Sequence, residues 1–534
     1  MKGSRVKIIF IKMCFFVMII SAVVGEGIIA FAGQDEDVSS LKDEIRQLKE
    51  EIKEQSKMYQ EKLQAMEKRV GVLETEKSGK DELYKFATEA RIAAEESEKM
   101  ALEAMEEAES SADSTEMIYV SDQSPMQQLP YVTKNFEFSG YLRSGFGVNG
   151  QGGQQVFFRA PGSVAKYRLG NETETYGELT FINHFNPEPE KAHFNLQVRT
   201  ALWTPEDKND SWTTDEVKFG VRESFVQADN FPWAPEMSFW AGQRFYRRRD
   251  IHINDFYIFD MSAYGGGVED INIPIGDTKM AVAYLGGSRD EYEFKDIGKI
   301  AKNTLDIRFY DFNVPLGKGT IWLAPSAVKG GKYTTADDDG DEMSGRYDST
   351  AGLALGFIHD HDFANDGYNE ITFQYGKGTG SDFSPNVQDP SPTLDDAWRF
   401  RFTESNVINP CDHFCMMSDV IYQLDDSGAS GDSQMTWISA GMRPVVCFTD
   451  HLALAFEAGL DYVDNKPANY DGILYKFTIA PEIRISNKFM GRPVLRVYFT
   501  YATWSNGFKG MVGNPVYTDD TAGISAGVQA EAWW

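Results

Sequence analysis

Residues 524–534 read ISAGVQAEAWW. Successive side chains of a strand point to opposite faces. One face of this stretch carries Ile524, Ala526, Val528, Ala530, Ala532 and Trp534; the other carries Ser525, Gly527, Gln529, Glu531 and Trp533. The first face is apolar, uncharged and closed by an aromatic. The second is polar and also bears an aromatic. A lipid-facing wall backed by a wet lumen has this pattern. A half-buried strand of a soluble sandwich alternates in the same way, so this stretch alone leaves both open.

The alternation recurs upstream with a consistent polar face. Phe136, Phe138, Leu142 and Phe146 oppose Glu137, Ser139, Tyr141 and Arg143. Leu169, Gly177, Leu179 and Phe181 oppose Arg168, Glu172, Glu174, Tyr176 and Glu178. Leu495, Val497, Phe499 and Tyr501 oppose Arg496, Tyr498, Thr500 and Trp504. A soluble sandwich rarely repeats Arg, Glu and Tyr together on its polar face, whereas a pore lining does. No long uncharged apolar run follows residue 32, so no membrane-spanning helix is expected. A spanning chain must then close as a barrel, because only helices and barrels satisfy their backbone groups in lipid. From residue 135 onward, a strand with its turn and loop takes about twenty-two residues, which gives on the order of eighteen strands. The expected fold is an all-β transmembrane barrel of antiparallel strands over 135–534, preceded by an α-helical coiled coil.

The leading segment has a different texture. Lys2, Arg5 and Lys7, an apolar stretch to Val24 and Ala30-Phe31-Ala32 mark residues 1–32 as a signal peptide. Within 33–75, Leu41, Ile45, Leu48, Ile52 and Tyr59, then Leu63, Met66, Val70 and Leu73, form a heptad seam with one stutter. Such a helix has nothing local to pack on, and self-association as a coiled coil is the expectation. Residues 76–134 are an Ala- and Glu-rich helical segment followed by a linker with Pro125 and Pro130. The formal charge of −29 excludes a nucleic-acid footprint.

Residues 243–267 break the strand pattern. Arg244, Arg247, Arg248 and Arg249 crowd with Phe245, Tyr246, Tyr257 and several Asp. This suits a segment folded into the lumen, where carboxylates and guanidinium groups hold one another, better than an external loop. Gly145-x-Gly147-x-x-Gly150 lacks the following helix of a dinucleotide site. Residues 337–342 (DDDGDE) resemble part of a calcium loop without its helices, so a structural divalent ion in the outer loops is a minor expectation and no cofactor is expected. Cys411, Cys415 and Cys447 suit a disulfide or free thiols better than zinc. No hydrolase or metalloprotease signature occurs, so no enzyme is expected.

FSGYLRSGFG, GQGGQQ and KYRLGNETETYGELTF, within 138–181, resemble the opening of the maltoporin family, the sugar-specific outer-membrane porins. The resemblance returns in WAGQRFYRRRDIHINDFYIFD (240–260), GMRP (441–444), YKFTIA (475–480), GRPVLRVYFTYATW (491–504) and the terminal VQAEAWW. It covers 135–534, loosely between about 275 and 400, and the helical extension is similar to that of the family's sucrose-type porins. It implies a homotrimer of eighteen-stranded barrels in the outer membrane, amid lipid and lipopolysaccharide, with an oligosaccharide as substrate. It also implies an aromatic slide at Tyr141, Tyr176, Trp212, Tyr368, Trp437 and Trp533, with Trp212 contributed across the trimer interface. The implied polar track is Arg143, Arg168, Glu178, Arg222, Arg248 and Asp255, with Tyr257 and Asp260 at the constriction. Arg248, Tyr257 and Asp260 together follow the maltoporin rather than the sucrose-type pattern, which implies a narrow pore for linear malto-oligosaccharides. Phe157 and Thr173 stand where the family's best-known member has a disulfide.

Facilitated diffusion of sugars is therefore the leading expectation. The extension would project into the periplasm toward peptidoglycan or a periplasmic protein. The alternatives are a general porin, a structural or adhesive envelope anchor on a coiled-coil stalk, and a secreted glycan-binding or hydrolysing β-protein.

Overall fold

A computed structural model describes residues 131–133, 135–172, 174–186, 191–204, 218–294, 298–336, 342–389 and 393–534. The signal peptide, the heptad stretch and nearly all of 76–134 lie outside the described residues, as do Trp212 and 337–341 of the acidic turn.

Eighteen strands form the wall. They are β1 (Phe136–Asn149), β2 (Thr175–Phe185), β3 (His193–Thr204), β4 (Lys218–Asp229), β5 (Ser238–Arg244) and β6 (Ala263–Asn272). β7 (Lys279–Phe294), β8 (Gly298–Val314), β9 (Gly317–Val328), β10 (Thr350–Phe363), β11 (Gly367–Lys377) and β12 (Trp398–Cys411) follow. β13 (Phe414–Asp426), β14 (Gln434–Cys447), β15 (Leu452–Asn465), β16 (Tyr470–Arg484), β17 (Val494–Trp504) and β18 (Ala522–Trp533) complete it. Each strand pairs antiparallel with its neighbours, and β18 closes on β1 with Tyr141 opposite Trp533 and Asn149 opposite Ser525. Closure leaves no open edge, as a bilayer requires.

On β17 and β18 the two faces divide as the alternation anticipates, whereas Leu169, assigned to the apolar face with Gly177, Leu179 and Phe181, is instead buried in the inward loop that precedes β2. On β18, Ser525, Gln529, Glu531 and Trp533 are buried inside, while Ile524 and Val528 are exposed on the outside. Leu495, Val497, Phe499 and Tyr501 of β17 are likewise exposed outside, opposite buried Arg496, Tyr498 and Thr500.

One end of the barrel has tight turns, such as those between Val314 and Gly317 and between Cys411 and Phe414. The other end has long connections, and three of these pack inside. Residues 150–174 lay Tyr167 over β14 and β15, where a Cβ at Gly441 or Gly459 would come within 2.1 Å of the ring. Only glycine at both positions admits the ring that closely. Residues 245–262 leave the short β5, turn at Arg247 (φ 47°) and form a small hairpin of Arg249–Ile251 with Phe256–Ile258. Residues 378–389 seat Phe383 on Trp322. The constriction segment is thus lumenal: Arg308 Nη1 donates to the Arg247 carbonyl at 2.8 Å, and Arg249 reaches Asp360 at 3.1 Å and Glu370 at 3.2 Å.

Candidate functional site

The seam between β1, β2 and β18 places three rings in a row. Tyr141 stacks on Trp533 with centroids 6.4 Å apart and planes at 23°, and Tyr176 follows at 6.1 Å from Tyr141. Register is the cause. Tyr141 is directly opposite Trp533, and Tyr176 is opposite Arg143, one lumenal step further along β1.

A charged track borders the row. Arg143 pairs with Glu172 at 3.3 Å, with Glu174, and with Asp255 at 3.6 Å, and its guanidinium lies 5.2 Å from the centre of the Tyr176 ring. Arg168 donates to Glu172 at 2.9 Å and to the Tyr141 hydroxyl at 2.7 Å, and lies 3.9 Å from Asp255. Glu178 accepts from Tyr176 and from Arg199 at 3.3 Å. Burial alone would raise the Glu172 carboxyl, but Arg143, Arg168 and Lys166 outweigh it and hold the group well below the usual carboxylate range.

Around Phe245 the constriction residues gather. Arg248 stacks between Phe245 at 3.7 Å and Tyr257 at 4.1 Å. Arg222 also faces Phe245, at 5.2 Å. It is the extra residue of a bulge, since Glu223 pairs with Arg199 and Val221 with the next residue, Thr200. Asp260 accepts the Ser262 amide at 3.0 Å. Asp255 holds a left-handed turn (φ 51°) that aims its carboxylate at Arg143 and Arg168.

Two slide candidates stand apart from the row. Trp437 donates to Asp461 at 2.9 Å and meets Phe256 edge-on at 5.6 Å. Tyr368 packs at the margin of the lumenal apolar cluster. The row itself is roofed. Trp533 and Tyr141 are 2% and 7% exposed, and Trp437, apart from the row, is 0% exposed. His252 meets Trp533 edge-on at 5.5 Å, and Arg492 lies over its ring at 4.3 Å. Burial pushes His252 below its ordinary range, and the Arg168 charge pushes it the same way against the pull of Asp250.

Several residues the sequence did not single out for the site hold it together. Glu531 accepts from Tyr141 at 3.2 Å, Arg492 at 2.8 Å and Arg496 at 3.1 Å, and lies 3.3 Å from Arg168. It shares a strand face with Trp533, which was the available signal. Asn254 at the loop tip donates to Asp419 across the lumen at 2.7 Å, a contact that no local pattern announces. Among the described residues no group of three or more His, Cys, Asp or Glu could hold a metal ion, and Cys411, Cys415 and Cys447 are free thiols.

The family model for the LamB porin matches residues 136–534. Solved structures of similar fold include OccAB1 of Acinetobacter baumannii, at 10% identity and TM-score 0.39, covering 77% of this chain and 98% of that one. A BenF-like porin from Pseudomonas fluorescens Pf-5 shows 9% identity and TM-score 0.40 over 75% of this chain and 99% of that one. OpdK of Pseudomonas aeruginosa, solved with vanillate, shows 8% identity and TM-score 0.40 over 75% and 98%. With a closed eighteen-stranded wall and a family match across that whole wall, this chain belongs to the LamB porin family, whose members are outer-membrane channels.

Proposed function

We propose that the channel carries sugars by facilitated diffusion, and that linear malto-oligosaccharides are its substrates. The observation that carries this reading is the row Trp533–Tyr141–Tyr176 edged by Arg143, Arg168 and Asp255. The C–H face of a pyranose stacks on such rings, while charged groups replace the water around its hydroxyl rim. Each ring contributes about 0.5–1.5 kcal/mol beyond area burial. A series of weak sites lets a solute enter and leave. Arg248, Tyr257 and Asp260 form the narrow point, and the tip carrying His252 lifts as sugar passes.

The working unit is a homotrimer, with Trp212 of one subunit added to the slide of the next and the coiled coil extending into the periplasm. Titrating sugar block of single channels tests the reading. Maltohexaose blocks more strongly than sucrose if it holds, and the reverse order removes the narrow-pore assignment. Trp533→Ala weakens maltohexaose block roughly two- to tenfold, the loss expected for one stacking ring. An unchanged block would instead favour a general porin.

A further inference from the structure

A cavity of about 720 Å³ opens beside the constriction loop, and none of the aromatic-row residues line it. Tyr257, Asp260, Lys302, Asp382, Arg222 and Arg401 are among the residues that line it. Its charges are unevenly answered. Lys302 is held by Asp382 at 2.8 Å and by the Ser384 carbonyl at 2.6 Å. Asp260 turns to its neighbour Ser262. Arg222 and Arg401 have no carboxylate within ion-pair distance among the described residues.

Arg401 is the better defined of the two. It is 5% exposed and is clamped by Phe256 at 4.8 Å and Phe383 at 5.1 Å. Its Nε donates to Gln423 at 2.8 Å and its Nη1 to Gln374 at 3.4 Å, both neutral amides. Among the described residues its Nη2 has no hydrogen-bond acceptor. Beside it, Gln374 is 1% exposed and its Nε2 has no acceptor. Elsewhere in the lumen buried arginines meet carboxylates directly, as Arg443 meets Glu457 and Arg496 meets Glu482. A fixed guanidinium edge next to an unanswered amide is a donor set short of an oxyanion.

We infer that this cavity receives the acidic group of an anionic saccharide, the carboxylate of a uronate or the ester of a sugar phosphate, at Arg401 with Arg222 opposite. The inference rests on the sugar-channel reading and adds an anionic class to the neutral malto-oligosaccharides proposed above. An acid-bearing sugar docks here before it threads the constriction.

The test is current block of the reconstituted full chain by five probes: α-1,4-linked trigalacturonate, its methyl ester, glucose 6-phosphate, glucose and maltotriose. Trigalacturonate and its ester share rings and linkage and differ in charge. The acid, or the phosphate if the ester group is the true ligand, blocks at about tenfold lower concentration than its neutral counterpart at 0.1 M KCl. That advantage shrinks at 1 M, where the Debye length falls from about 10 Å to about 3 Å. Arg401→Gln abolishes the advantage and leaves maltotriose block within twofold, while Arg222→Gln reduces it. Each variant is first checked for heat-modifiable mobility; if Arg401→Gln does not fold, Arg222→Gln decides. Equal block by charged and neutral probes in the unmodified protein, or an advantage that survives both substitutions, overturns the inference. Failure of maltotriose to block overturns instead the sugar-channel reading beneath it.

Discussion

At the residue scale, Glu531 is the pivot of the lumenal seam. It gathers Arg168, Arg492, Arg496 and the Tyr141 hydroxyl, and is 3% exposed. Glu531→Gln leaves three guanidinium groups crowded around a neutral amide. Removing one member of a buried ion cluster costs about 3–5 kcal/mol, so a clear fall in unfolding temperature is expected, read from loss of heat-modifiable mobility. A second residue breaks the alternation rule. Glu404 lies on the outward face of β12, between lumenal Thr403 and Ser405, yet is 8% exposed and accepts from Asn369 at 3.1 Å. Asn369→Ala withdraws one donor from a shielded carboxylate and costs about 1–3 kcal/mol. The double change of Glu404 and Asn369 to Leu should cost less than the two single changes added together, because these two partners leave together. Comparing the single and double variants in urea unfolding checks this.

At the scale of elements, the inward loops separate what a sequence states from what it withholds. The lumenal face of β1, β2 and β18 was legible, because period-two alternation needs only neighbours in the chain. Tyr141, Arg143, Tyr176, Glu178 and Trp533 all lie where that alternation assigns them. The inward course of 245–262 was also legible, since four arginines among aromatics have no stable place in hydrocarbon. The seating of 150–174 was not. Tyr167 rests on Gly441 and Gly459, far along the chain, and nothing near residue 167 encodes that contact. Arg222 was opaque to alternation for a different reason, because a bulge inserts one residue and shifts the parity on β4. Loop 150–174 is tied down through Glu172, which gives a pH dependence. Its folded carboxyl lies below the unfolded range of about 4.3, so its contribution is complete above that value and is lost as pH falls through and below it. Protease sensitivity of this loop should therefore rise below about pH 4, and Glu172→Gln should show that sensitivity already at neutral pH.

At the scale of the whole molecule, the wall and the leading segment are separable expectations. The wall from β1 to β18 closes by its own pairing, and among the described residues the leading segment adds to it only the short pairing of Tyr131–Thr133 with Phe136–Phe138. Deleting residues 34–130 should leave single-channel conductance unchanged. If the proposed trimer forms, its loss on semi-native gels after that deletion would assign the heptad segment to assembly, and its survival would assign that segment to a periplasmic partner. The strand count followed from length alone, because the barrel fixes how many residues one crossing consumes.

The seam where Tyr141 faces Trp533 has a temporal meaning. Those residues are among the last to become neighbours, since almost the entire wall is threaded between them. Until the final hairpin is in hand, the growing sheet carries two raw margins that hydrocarbon will not tolerate. A polypeptide cut short of β18 therefore cannot seal the wall by its own pairing.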